Sequence, residues 1–89
     1  MPINIYNQKN IEKIAWLCDD DWELPSQIYE LEEWLKKNES NIPPGDYVAD
    51  IGFDIRKDAT GGGGVLTIKS MAIMIKLGIE LYLSEYPSK

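Results

Sequence analysis

Asp46 to Tyr86, "DYVADIGFDIRKDATGGGGVLTIKSMAIMIKLGIELYLSEY", decides how this chain folds. Its first residues alternate: Tyr47, Ala49, Ile51, Phe53 and Ile55 face one way, and Val48, Asp50, Gly52, Asp54 and Arg56 the other. A period of two marks a strand with one buried face. Further on, Thr67 is placed to cap a helix and Gly78 to end it, with Lys76 near the negative end of its dipole. Ile68, Met71, Ala72 and Ile75 recur at helical spacing and predict the inward stripe. Ile73, Met74 and Leu77 are apolar too, so the helix is expected to be covered on more than one side. Ile73 or Met74 should then meet a second element, either the helix that begins near Pro25 or another subunit. Ile79, Leu81 and Leu83 alternate again in "IELYLSEY". Strand, helix and strand suggest a β-α-β unit, whose strands would run parallel through a right-handed crossover.

Four glycines, Gly61 to Gly64, lead into that helix, a position where many proteins hold phosphate. A phosphate loop needs G-x-x-x-x-G-K-[ST], with lysine on the phosphate and a hydroxyl on magnesium. Here Val65 follows Gly64, and the nearest lysine, Lys69, already lies inside the helix. The spaced glycines of a dinucleotide fingerprint are missing as well. The run reads as a turn that exploits positive φ. Gly62→Ser and Gly63→Ser should therefore be tolerated unless the residue holds positive φ.

Toward the N-terminus, "INIY" (Ile3 to Tyr6) predicts a short edge strand. Asn7 or Asn10 can then cap a helix whose apolar face is Ile11, Ile14, Ala15 and Cys18, with Trp16 on its opposite side. The helix is preferred, and "IAWLC" as a buried strand is the alternative. Pro25 suits the first turn of a helix whose inward stripe is Leu24, Ile28, Leu31 and Leu35. Glu32 and Glu33 precede Lys36 and Lys37 at the favourable i,i+4 spacing. The helix should end near Asn38, before "NIPPG" (Asn41 to Gly45). The whole predicts a single α+β domain over residues 1–89: two or three helices packed on a two- to three-stranded sheet, with a C-terminal β-α-β unit.

A chain of 89 residues buries roughly 60–65% of its unfolded surface, enough for one core. No apolar run reaches the ~18 residues of a membrane span, and no signal-peptide pattern opens the chain, so a cytoplasmic protein is expected. There is no histidine, and Cys18 is the only cysteine. The best acid–base side chain near neutral pH is thus missing, and Cys18 reads as a structural thiol. "DDDWE" lacks the alternating ligands and turn glycine of a calcium loop. No catalytic residue, cofactor or metal is expected.

The charge is asymmetric. Residues 1–50 carry eleven acidic and four basic side chains, and residues 51–89 four acidic and five basic. This argues against direct nucleic-acid binding and favours a basic protein partner. The acids also keep company with tryptophan. Asp19, Asp20, Asp21, Trp22, Glu23, Glu30, Glu33 and Trp34 form the candidate partner-binding set, with tryptophan as anchor and acids for steering. The bland reading makes the tryptophans core and the acids a solvated rim.

From "DDWELPSQIYELEEWL" to "GGGGVLTIKSMAIMIKLGIELYLSEY" the chain resembles the C-terminal part of a bacterial family of domains of unknown function. The carriers are Trp22, Ile51, Phe53, Gly62 to Gly64, Leu66, Leu77, Gly78, Ile79, Leu81 and Tyr86. Members of that family recur among immunity proteins for polymorphic and contact-dependent toxins. The resemblance implies a protein that binds and inhibits a cognate toxin, such as a basic nuclease, and it transfers no functional residue. The alternatives are a phage- or plasmid-encoded inhibitor of a nucleic-acid enzyme acting by acidic mimicry, and a structural homodimer.

Overall fold

The computed structural model describes residues 2–55, 58, 60, 61 and 63–87. The chain runs β1 (Ile3–Asn7), β2 (Lys13–Leu17), α1 (Leu24–Asn38), β3 (Tyr47–Asp54), α2 (Ile68–Leu77) and β4 (Ile79–Tyr86). One mixed sheet has the order β2-β1-β3-β4. In it β1 runs antiparallel to both β2 and β3, while β3 and β4 run parallel. The α+β class and the C-terminal β-α-β unit agree with the pattern in the sequence. Among the described residues there are two helices, within the expected two or three, and four strands, one more than the expected sheet.

The additional strand is the segment expected as a helix. Asn7 and Asn10 do turn the chain with their side chains, but into a hairpin. Asn7 Oδ1 accepts the Lys9 N–H at 2.9 Å, and Asn10 Oδ1 accepts the Glu12 N–H at 2.9 Å. The Asn7 N–H closes the loop on the Glu12 carbonyl at 2.8 Å. Ile11 stands at φ 57, a left-handed conformation incompatible with a right-handed helix. The reversed chain then sets Ala15 against Ile5 and Leu17 against Ile3. This also makes β1 an interior strand rather than an edge.

Both helices cover the same sheet face. Ile28, Leu31 and Leu35 of α1 and Ile73, Met74 and Leu77 of α2 bury Ile3, Ile5, Tyr47, Ala49, Ile51 and Ile79. Each fully buried aliphatic side chain contributes about 1.5–3 kcal/mol by leaving water. Pro25 lies in the first turn of α1, where its missing N–H is not needed. On the opposite sheet face Val48 and Gly52 are also buried, so that face is not simply wet. Ile55 lies just beyond β3 and is exposed. The expected facing of Arg56 lies outside the described residues. Among the described residues no helix is long and apolar enough to cross a membrane.

Helix α2 is rotated from the expected register. Its buried residues are Ser70, Ile73, Met74 and Leu77, whereas Ile68, Met71, Ala72 and Ile75 face solvent. This facing puts Ile73, Met74 and Leu77 in the core, and a contact from α1 accompanies it. Glu32 Oε2 accepts hydrogen bonds from the Thr67 N–H at 2.8 Å, Thr67 Oγ1 at 2.9 Å and Ser70 Oγ at 2.8 Å. Thr67 Oγ1 in turn accepts the Ser70 N–H at 3.2 Å. Ser70 is thereby buried as a satisfied polar group, and the rest of its stripe turns inward with it. The expected Glu32–Lys36 pairing gives way to this contact, and Lys36 pairs with Glu33 at 3.3 Å instead.

Candidate protein-binding surfaces

The candidate acids converge where β2 leads into α1. Cys18 ends the strand region at φ 58, and the Asp21 N–H returns to its carbonyl at 3.2 Å. This tight reversal leaves Asp19 and Asp20 on the outside. Asp21 turns inward along the chain. Its Oδ1 accepts the Glu23 N–H at 3.0 Å and its Oδ2 accepts the Ser26 hydroxyl, which organises the first turn of α1. Its carbonyl accepts from Gln27 Nε2 at 2.7 Å. The same amide donates to the Gly52 carbonyl at 2.7 Å, so buried Gln27 ties the acidic loop to β3.

Trp22 fastens the loop at a second point. Its carbonyl accepts the Asp54 N–H at 2.9 Å, and its ring meets Tyr86 edge-on, with centroids 5.7 Å apart at 88°. The absence of a side chain at Gly52 makes room for this pair: a Cβ there would lie 2.8 Å from Tyr86 Cε2 and 3.5 Å from Trp22 Cζ3. Trp34 is half-buried against the core, and its carbonyl accepts from Asn38 Nδ2 at 2.9 Å. Glu33 is half-buried beside Lys36. Glu23 and Glu30 are exposed.

Cys18 registers the convergence electrostatically. Burial, and then the charges of Asp21, Glu30 and Asp19, push its thiol up to about 11. Three of the predicted acids thus act on one point, and the thiol stays protonated at neutral pH rather than serving as a nucleophile. Among the described residues the ion pairs are Lys9–Asp46, Lys36–Glu33 and Lys76–Glu39. None of these lysines neutralises Asp19, Asp20, Glu23 or Glu30. Tyr29, which sequence reasoning passed over, is 61% exposed on the outer side of the same helix. Its signal was its place between the apolar residues Ile28 and Leu31, out of phase with their stripe.

A second group was invisible until residues 13–17 became a strand. The uncovered sheet face aligns Trp16, Asn4, Asp50 and Tyr82 across four strands by register. Trp16 Nε1 donates to Asn4 Oδ1 at 3.0 Å, and Ser84 Oγ donates to Asp50 Oδ1 at 2.9 Å. Lys13 Nζ sits 3.0 Å from the centre of the Trp16 ring. Asn4, Tyr6, Ile11, Lys13 and Asp50 line a shallow cavity of ≈ 360 Å³. Trp16 is therefore a sheet-face residue braced by a cation and an amide.

The glycine-rich turn has a structural role. The place at the N-terminus of α2 that an anion would take is held by the Glu32 carboxylate. Gly63 adopts φ 112, so a substitution there would be strained, and Gly62 lies outside the described residues. A Cβ at Gly64 would lie 2.6 Å from Ile28 Cγ1, which lets the turn cross close over α1. Among the described residues no cluster of side chains suited to a metal ion occurs. No protein-family model, curated protein or solved structure matches the chain.

Proposed function

We propose that this protein is an immunity-type inhibitor, without enzymatic activity of its own, that binds a basic protein toxin such as a nuclease. The observation that carries this reading is the cluster of acids at the β2–α1 corner, which form no ion pair among the described residues and are held on a hydrogen-bonded frame. Asp19, Asp20 and Glu23 project from a loop that Gln27, Asp21 and Trp22 tie to the sheet, and Glu30 adds its charge from α1. Rigid placement matters because a preorganised charged surface loses less freedom on docking. Exposed Tyr29 supplies an amphipathic contact beside the acids, and half-buried Trp22 and Trp34 border them. An inhibitor that mimics acidic nucleic acid would use the same surface. The two differ in genetic setting, since an immunity gene directly follows its toxin gene.

Co-expression with the neighbouring toxin gene, together with capture and mass spectrometry from the native host, tests the reading. The expected result is stoichiometric capture of one basic protein, whose activity is suppressed by wild type and restored by Asp19→Lys, Asp20→Lys and Glu30→Lys together. Full suppression by this triple variant would remove the acidic corner from the interface.

A further inference from the structure

We infer that two copies of this chain associate edge to edge, pairing β4 with β4 across a two-fold axis and packing α2 against α2. The two free edges of the sheet are built differently. Strand β2 is five residues long, carries Lys13, and breaks register opposite Ile5 and Tyr6, three devices that discourage further pairing. Strand β4 has eight residues in unbroken register with β3, and neither lysine nor proline lies within Ile79–Tyr86. Its alternate backbone N–H and C=O groups point away from β3, ready for another strand.

The helix above that edge is apolar on the matching side. Lys76 pairs with Glu39, just beyond α1, at 3.3 Å, which marks the flank of α2 that faces α1. At about 100° per residue, Met71 and Ile75 fall on the flank turned away from α1, with Ile68 beside them. Ile68 and Ile75 are each 82% exposed, and Leu83 of β4 is 56% exposed. A lone peptide added to β4 would satisfy the backbone but leave Ile68 and Ile75 in water. A second copy brings an edge and an apolar helix flank in the same relative position, so both are covered at once.

Charge and area agree with this occupant. An antiparallel register centred on Tyr82 sets Leu81 against Leu83 of the second copy and Glu80 against Ser84, so no acid faces an acid. Eight residues of strand span about 26 Å, and the two layers are together about 20 Å deep. The footprint is then on the order of 500 Å² per copy, or roughly the 1,000 Å² total that a specific interface requires. The association uses the β4 edge, whose last residue Tyr86 meets Trp22 of the acidic corner, but it does not rest on the toxin reading.

Sedimentation equilibrium over a range of concentrations tests the inference. Wild type should be a concentration-dependent dimer that tightens with added salt, as repulsion between two acidic chains is screened. Ile68→Glu with Ile75→Glu should weaken self-association at least about 100-fold, because unpaired charges would be buried. Both positions are exposed in the single chain, so circular dichroism should be unchanged. Hydrogen exchange should show β4 amides gaining protection as wild-type concentration rises. A monomeric wild type, a dimer that survives the double substitution, or β4 amides indifferent to concentration would each overturn it.

Discussion

Gly78 lets α2 become β4 with no connecting segment, since Leu77 ends one and Ile79 begins the other. It stands at φ 81, and its N–H closes the helix on the Met74 carbonyl at 2.8 Å. Gly45 lies directly against it: a Cβ at Gly78 would be 1.9 Å from the Gly45 carbonyl oxygen. That backbone is itself fixed, because the Gly45 N–H donates to the Leu77 carbonyl at 2.9 Å. Gly78→Ala should therefore cost more than about 2 kcal/mol in urea denaturation, combining left-handed strain with a backbone collision. A cost below about half a kcal/mol would mean that the loop at Gly45 yields freely. Glu32 makes a different kind of single-residue prediction. Its carboxyl is held below the ordinary value of 4.5, chiefly by the Thr67 N–H, with the Ser70 and Thr67 hydroxyls and Lys36 adding to the effect against some burial. The unfolded chain thus takes up this proton at a higher pH than the folded one. Glu32 stabilises the fold in full above the unfolded value, and its contribution fades as pH falls through the folded one. Melting temperatures of wild type and Glu32→Gln should differ most at neutral pH and converge in acid. A constant difference at every pH would assign the effect to shape rather than charge.

At the scale of elements, α2 shows which part of the fold was legible in the sequence. Its ends were readable from Thr67 and Gly78, because caps are local chemistry. Its facing was not, because Ile68, Met71 and Ile75 on one side compete with Ile73, Met74 and Leu77 on the other. The facing adopted goes with long-range contacts: the core that receives Ile73, Met74 and Leu77, and Glu32, thirty-eight residues before Ser70 and on another helix. Likewise β3 and β4 were plain from alternation, while β2 was legible only as the alternative to a helix. Ile14, Ala15 and Cys18 fit a helical stripe, and only pairing with β1 shows them as strand and turn. The acids of the candidate site were visible as charges. Their convergence around Cys18, and the Trp16–Asn4–Asp50–Tyr82 row, depend on the strand reading of that segment. The rotated helix can be tested directly. Met74, at 5% exposure, should lose about 2–5 kcal/mol on change to alanine, and exposed Ile75 less than about half a kcal/mol, in dilute monomer. Equal losses at both positions would contradict this facing of α2.

For the molecule as a whole, the net charge of −6 acts at long range, and its effect depends on what approaches. A basic partner is drawn to the β2–α1 corner, whereas a second copy of the chain is repelled until the α2 flanks meet and the β4 edges pair in a register that sets neither Glu80 nor Glu85 against another acid. Salt should therefore weaken the first association and strengthen the second, which lets one titration separate the two surfaces. Within the corner, Asp19 and Asp20 are exposed, and their share of the attraction is screened over about 8–10 Å at ordinary ionic strength. They should govern arrival rather than departure. Asp19→Lys with Asp20→Lys should slow association with the captured basic partner by about tenfold or more at low salt and flatten its salt dependence. The dissociation rate should change far less. Tyr29→Ala should do the reverse, speeding dissociation with little effect on association, since a contact side chain acts after the encounter. Neither change touches a buried residue, so the thermal melt of each variant should overlay that of wild type. Association and dissociation rates at two salt concentrations decide the matter. If the double reversal leaves association unaltered, the partner approaches elsewhere, and the uncovered sheet face around Trp16 and Asp50 becomes the surface to mutate next.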